Sequence, residues 1–411
     1  MINGVQISLN AKLTSSLTHY DDNKLSISLI DLPASYNGTI EKNTFKYQSG
    51  LKAPYTGDKP QTGITVSNAL HVVIGSPTVS GNGNSFNGLH NGIYLTYYQP
   101  NPFTAPPAVV NMHHNVFTNI LGGINLWDVV SPNSTQTLYN DLRGCAILGI
   151  NRRQQYHVTA NIYGNSTPTN TLNNFTDCNK AIILNGFHTT IHRNTTFNTQ
   201  AGFLNAQCDG KSISVSKNKL VGARLGISKV GDEANFDVND NELSMADPYP
   251  TQAGLYVPLA INSTYITAQN TGTTDIFSNY IDFSHPDYAT GIHLLNGSRD
   301  FIRNNQIDFL YSGNDPSATT VPNLFGMDLS NNDGVHVFAN HVLGLNAPNF
   351  LNLRQAAGIQ MHKNKNSLVE CNSLSNTQYG FYVVGDNNCN NYDRVRNNTL
   401  NNQNYGILLR I

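Results

Sequence analysis

One short pattern, apolar-x-x-Asn-x-apolar, constrains this chain more than anything else in it. It occurs as Ile40-Asn43-Phe45, Met112-Asn115-Phe117, Val158-Asn161-Tyr163, Val215-Asn218-Leu220, Val238-Asn241-Leu243, Ile276-Asn279-Ile281, Ile302-Asn305-Ile307, Val337-Asn340-Val342, Val369-Asn372-Leu374 and Val395-Asn398-Leu400, with partial copies at Asn84-Phe86 and Ile191-Asn194. A Gly and an apolar residue follow, as in Gly63-Ile64, Gly92-Ile93, Gly226-Ile227, Gly326-Met327 and Gly406-Ile407. In six copies the Gly lies eight residues after the Asn: 84 to 92, 115 to 123, 194 to 202, 218 to 226, 372 to 380 and 398 to 406. In the others the interval is longer (43 to 63, 161 to 181 with Ala181 for Gly, 241 to 254, 279 to 291, 305 to 326, 340 to 358), so every insertion enters at one point of the unit. A recurring unit with insertions on one face is the mark of a solenoid.

The segments around the pattern are short, alternate apolar with polar residues, and break at Gly and Asn. They read as strands joined by tight turns, not as helices. Two or three such strands make one coil, with inward Ile, Val, Leu and Phe stacking on their counterparts in the next. An Asn at the same turn of each coil tolerates left-handed backbone and pairs amide to amide along the axis, forming a ladder. This accounts for a composition that otherwise resembles low complexity: 59 Asn in 411 residues, with 12% charged residues. A hydrophobic content of 39% supplies a core that a disordered chain lacks. A net charge of −2 argues against a nucleic-acid or membrane-surface partner, and no apolar run approaches the ~20 residues of a spanning helix. The start, Met1-Ile2-Asn3-Gly4, does not read as a secretory signal. Cys145, Cys178, Cys208, Cys371 and Cys389 fall in no metal-binding spacing and read as buried thiols, which leaves disulfide status open.

Through the Asn-x-apolar and Gly-Ile-x-Leu repeats, residues 36–411 resemble the right-handed parallel β-helix proteins of the pectin-lyase-like superfamily. The resemblance implies an all-β fold: a right-handed, single-stranded parallel β-helix of about 12–13 coils. The family holds polysaccharide lyases, glycoside hydrolases, epimerases, phage tailspikes and surface adhesins, so fold alone does not choose a function. Residues 1–35 lack the repeat Asn and carry Pro33, which reads as an N-terminal cap or first irregular coils. The stretch from Trp127 to His157 fits least well and reads as one irregular coil with a strand at Cys145 to Ile150. The final Tyr405–Ile411 is a complete repeat strand, which suggests a piece of a longer surface protein.

Strand alternation turns the second residue after each repeat Gly outward. Coil by coil this gives Thr65, Tyr94, Asn125, Ser228, Tyr256, His293, Asp328, Gln360, Tyr382 and Leu408; two residues on, the same face carries Thr96, Trp127, Ser330, His362 and Arg410. With coils about 4.8 Å apart, Tyr256 to Tyr382 is a row of roughly 20 Å, the length of a few sugar rings. The expected partner is a polysaccharide or cell-surface glycan. Tyr94, Trp127, Tyr256 and Tyr382 would offer aromatic faces, and Gln360 and His362 hydrogen bonds. Such a task implies an extracellular or cell-surface location and an adhesin-like module, with a purely structural spacer as a further reading.

The catalytic alternative, a lyase, epimerase or hydrolase, makes His293 a base oriented by Asp328, with Tyr256 or Tyr382 as proton donor. Against it stand the absence of Lys or Arg on the row except Arg410, and of Asn-Thr-Asp, Gly-His-Gly and Trp-x-Asp-His, since Trp127-Asp128 is followed by Val129. No cofactor is implied. Calcium is possible at the densest acid cluster, Asp232, Glu233, Asp237, Asp240 and Glu242. His113-His114 lacks a third zinc ligand.

Overall fold

The computed structural model describes residues 3–8, 15–21, 25–30, 38–47, 61–67, 71–76, 79–96, 109–118, 120, 122–127, 135–138, 141–143, 146–150, 159–163, 173–178, 180–207, 211–232, 234–246, 259–266, 272–284, 288–310, 323–344, 356–385 and 393–410. These are almost all strands and the tight turns between them. Strands at equivalent positions in successive coils pair in parallel and in sequence order, giving three all-parallel sheets. The chain is a parallel β-helix. Among the described residues no helix is long and apolar enough to cross a membrane.

Two compact units, Met1–Thr199 and Gln200–Ile411, are each built this way. In Met1–Thr199 the first sheet runs Asn3–Ser8, Leu25–Ile30, Thr62–Ser67, Asn91–Thr96, Gly122–Trp127, Ala146–Ile150 and Lys180–Asn185. In Gln200–Ile411 it runs Ala201–Ala206, Leu225–Val230, Leu259–Thr264, Tyr288–Leu295, Asn323–Ser330, Ala356–His362, Tyr379–Val384 and Tyr405–Arg410. Coils therefore outnumber the Asn copies: the N-terminal coil and the one holding Thr135–Leu138 and Asp141–Arg143 are not among them.

At the N-terminus Leu17 is left-handed and Thr18 holds the turn where later coils have Asn; its backbone N–H donates to Asn43 Oδ1 at 3.1 Å. The strand His19–Asp21 then pairs with Thr44–Lys46, and Tyr20 stacks on Phe45 with centroids 4.9 Å apart. One copy is also displaced within its coil: Asn161, expected to be a ladder Asn. It lies instead within the strand Thr159–Tyr163, in register with Thr190 of His188–His192. Asn173 holds the ladder position, donating to Asn194 Oδ1 at 2.8 Å. The spacing marks it, because Asn173 lies eight residues before Ala181.

The ladder is continuous from Asn43 through Asn84 to Asn115, and again from Asn218 through Asn241, Asn279, Asn305, Asn340 and Asn372 to Asn398. In most links the backbone N–H and Nδ2 of one Asn both donate to Oδ1 of the next, as Asn218 does to Asn241 at 3.0 Å each. Left-handed backbone belongs not to these Asn but to the residue before most of them: Lys42, His114, Arg193, Lys217, Asp240, Ser278, Asn304, Ala339, Cys371 and Asn397, while Gly83 before Asn84 is extended. A second, shorter ladder links Asn332 to Asn364 at the turn between the first and second sheets.

The core explains the rest of the repeat. The apolar residue two after each ladder Asn points inward, and in Met1–Thr199 Tyr20, Phe45, Phe86 and Phe117 stack face to face at 4.7 to 4.9 Å. The repeat Gly faces that side chain across the same coil. A Cβ on Gly63 would lie 2.8 Å from the Phe86 ring, and one on Gly326 2.6 Å from Val342 and 2.5 Å from the Gly358 carbonyl. One polar cluster interrupts this core: Lys229 and Asp300 are fully buried, with the Lys229 ammonium over the Tyr265 ring and Asp300 accepting from the Thr274 N–H at 2.5 Å. Burial pushes the Asp300 carboxyl up to about 7. Cys178 is buried and Cys371 exposed; Cys145, Cys208 and Cys389 lie outside the described residues.

Candidate functional site

Alternation along the first sheet sends Ile227, Ile261, Ile292, Met327, Ile359 and Phe381 into the core, so the residue after each faces out. Register then assembles a row in Gln200–Ile411: Ser228 beside Asn262, Asn262 beside His293, His293 beside Asp328, Asp328 beside Gln360, Gln360 beside Tyr382, and Tyr382 beside Leu408. A parallel column on the same face runs Leu295, Ser330, His362, Val384 and Arg410. In Met1–Thr199 the equivalent register aligns Thr65, Tyr94 and Asn125, and beside them Ser67, Thr96 and Trp127. The side chain of Trp127 is outside the described residues.

Tyr256 lies outside the described residues, and the register position between Ser228 and His293 is held by Asn262. Counting from Gly254 as the repeat Gly puts Tyr256 there, whereas the strand is Leu259–Thr264 and Ala260 stands in the Gly position, its carbonyl against the point where a Cβ on Gly226 would lie. Ala181 shows that Ala substitutes for the repeat Gly, so Ala260-Ile261-Asn262 was the available signal.

Hydrogen bonds tie the row together across coils. Asn262 Nδ2 donates to Ser228 Oγ at 3.0 Å, and its Oδ1 accepts from Thr264 Oγ1 at 3.1 Å and faces His293 Nδ1 at 2.8 Å. Both partners of the amide oxygen are then donors, which puts the imidazole proton on Nδ1. Asp328 Oδ1 accepts from Ser330 Oγ and from Gln360 Nε2, each at 3.2 Å. His293 Nε2 and Asp328 Oδ2 face each other at 3.7 Å. Desolvation pulls the His293 pKa below the ordinary histidine value, against the opposing pull of the Asp328 carboxylate. The ring is therefore neutral at neutral pH.

Among the described catalytic candidates, His293 and Asp328 lie side by side. The group hydrogen-bonded to His293 is Asn262, and 3.7 Å is too long for Asp328 to orient the ring. Tyr382 sits three coils further along, about 14 Å by coil spacing, beyond reach of a bond worked on by His293. It is also buried, stacks on Tyr379 with centroids 5.3 Å apart, and faces Arg410 Nη1 from its hydroxyl at 3.4 Å. Gln360 and His362 are half-buried on the same outward face.

The acid cluster disperses. Asp237 projects from the second sheet, Glu242 pairs with Lys219 on the third, and Asp232 Oδ1 accepts from the Ile266 N–H at 2.7 Å; Glu233 is outside the described residues. Among the described residues no three His, Cys, Asp or Glu side chains come together to hold a metal ion. His113 is buried in Met1–Thr199, and His114 Nδ1 faces the Ser76 carbonyl at 2.7 Å. The second sheet carries a mixed face that the Gly-centred pattern does not mark: Arg303 pairs with Asp275 and lies over Phe277, while His336 and Arg396 both pair with Glu370. No protein-family model matches the chain, and no curated protein matches it.

Proposed function

We propose that this β-helix, of the pectin-lyase-like kind, is an extracellular or cell-surface module that recognises a polysaccharide along the first-sheet face of Gln200–Ile411. The observation that carries this reading is the row Ser228, Asn262, His293, Asp328, Gln360: five consecutive outward positions bearing hydroxyl, amide, imidazole and carboxylate groups. Each is fixed by a bond to a neighbouring coil or strand position. Preorganised polar groups at coil spacing suit a linear ligand with repeating hydroxyls, and rigidity lowers the ordering cost of binding it. Asp328 disfavours uronate-rich chains. Tyr382 is too buried to serve as an open stacking platform, so the polar groups carry the recognition.

A glycan array probed with the intact chain tests this reading, run beside a turnover assay for unsaturated or newly reducing products. Binding without turnover supports the recognition module. Turnover lost on His293→Ala assigns the face to an enzyme, and silence in both leaves a structural spacer.

A further inference from the structure

Among the described residues, the centre of the row presents two acceptors and no free donor. Asp328 Oδ1 takes both nearby donors, Ser330 Oγ and Gln360 Nε2. Among the described residues its Oδ2 faces His293 Nε2, at 3.7 Å, outside hydrogen-bond range. With the imidazole proton committed to Asn262 Oδ1, Nε2 presents a lone pair toward the same space. The two side chains are 24% and 20% exposed, so the gap opens to solvent but its walls are largely dry. Among the described residues, Asp328 is the charged group facing His293; Ser228, Asn262, Thr264, Ser330 and Gln360 around it are neutral.

A ligand group placed between these acceptors must donate two hydrogens and profits from positive charge. A sugar hydroxyl has one hydrogen and satisfies one acceptor. An acetamide N–H is likewise single and brings an acyl group with it, while a carboxylate is repelled by Asp328. A primary ammonium meets every requirement, with three donors on one atom and a charge opposite to the carboxylate. We propose that His293 Nε2 and Asp328 Oδ2 form a two-acceptor seat for the protonated amine of a de-N-acetylated amino sugar, making the ligand a hexosamine polysaccharide with free amines. This inference rests on the polysaccharide reading of the same face and narrows it to one chemical class.

The seat also has a built-in release. Protonation of His293 turns Nε2 into a donor aimed at Asp328, which closes the gap and cancels the charge that held the ammonium.

Titration calorimetry of the intact chain with a β-1,4-linked glucosamine hexamer and with its fully N-acetylated counterpart, near neutral pH and low salt, tests the seat without any variant. The expected result is affinity about tenfold higher for the amine form, the scale of one charge-assisted contact in a half-buried site. Salt should weaken it, and so should acidification beyond full charging of the ligand amines, far enough to protonate His293. Asp328→Asn should bring the amine form down to the level of the acetylated one. Equal affinity for the two hexamers overturns the seat but leaves the recognition face standing. Binding of some other neutral glycan with neither hexamer bound does the same. If no glycan binds at all, the face reading falls and the seat with it.

Discussion

At the scale of the single residue, the ladder Asn is specified by hydrogen-bond arithmetic. Asn305 Oδ1 accepts from the N–H and Nδ2 of Asn279, at 3.1 and 2.9 Å, while its Nδ2 donates to the Ile276 carbonyl at 2.8 Å and to Asn340 Oδ1 at 2.9 Å. Two donors and two acceptors are all in use, and no other side chain of that size offers both. Asn305→Asp keeps the shape and loses both donors, leaving a buried carboxylate against three acceptor oxygens, the Arg303 carbonyl being the third. The expected cost is about 3 kcal/mol or more at neutral pH. Part of it should return on acidification, when the carboxyl can donate again, and thermal melts at the two pH values measure both effects. This chemical strictness is why the Asn was legible in sequence. The left-handed residue before it was not, because Lys42, Ser278, Ala339 and Cys371 all occupy that conformation: its cost of ~1 kcal/mol is one that many residues bear. His113 carries a different kind of sensitivity. Burial, helped by the neighbouring His114, pulls its pKa from 6.5 down to about 4. Unfolded chain takes up the proton first, so the contribution is intact above pH 6.5 and is lost as pH falls toward about 4, to a limit of ~3 kcal/mol. Urea unfolding followed by Trp127, the chain's single tryptophan, should show that loss in the parent and not in His113→Gln.

At the scale of the element, the pairing of repeat Gly with inward apolar residue sets how tightly a coil closes. The Gly at the start of the first-sheet strand and the Phe, Leu, Ile or Val of the third-sheet strand occupy one another's space, and the Gly carbonyls of successive coils crowd the same point. Gly326→Ala would press its methyl on the Gly358 carbonyl at 2.5 Å and on Val342 at 2.6 Å. Backbone cannot retreat there without breaking the sheet, so the expected loss is about 2–3 kcal/mol, read as a lower melting temperature. The compensating variant Gly326→Ala with Val342→Ala relieves one of the two contacts and should recover part of it. At Gly81 a methyl would stand in open space, with nothing within 4 Å, and Gly81→Ala should leave the melt unchanged. Strand existence and direction were readable because period-two alternation and the Asn-to-Gly interval repeat together. Where one marker is replaced, as by Thr18 for Asn or Ala260 for Gly, the coil persists on the other contacts and the sequence signal lapses. That lapse is what moved Tyr256 into the row in place of Asn262.

At the scale of the whole molecule, function depends on which outward residues a register brings side by side, and register is where small sequence errors grow. The neighbours His293, Asp328 and Gln360 were correctly placed because the Gly in each of their strands is present at 291, 326 and 358. What the sequence could not show is which atom of each faces which. The hydrogen bond that His293 Nδ1 donates to Asn262 Oδ1 fixes the imidazole tautomer, and the two donors on Asp328 Oδ1 leave Oδ2 turned to the ring. A face that binds an extended chain through several evenly spaced groups should lose affinity in small steps, one coil at a time, because no single contact dominates. Gln360→Ala removes one contact to a ligand and also frees an Asp328 lone pair, so it should weaken glycan binding about three- to tenfold. Ser228→Ala, at the far end of the row, should cost less than about threefold for a ligand centred on Asp328 and more for a longer one that spans both ends. The measurement is affinity against oligomer length for the parent and both variants. A length dependence that the two substitutions shift at opposite ends identifies the whole row as the binding surface. One in which neither changes anything places recognition elsewhere on the molecule, the Phe277, Arg303 and Glu370 face of the second sheet being the next surface to vary.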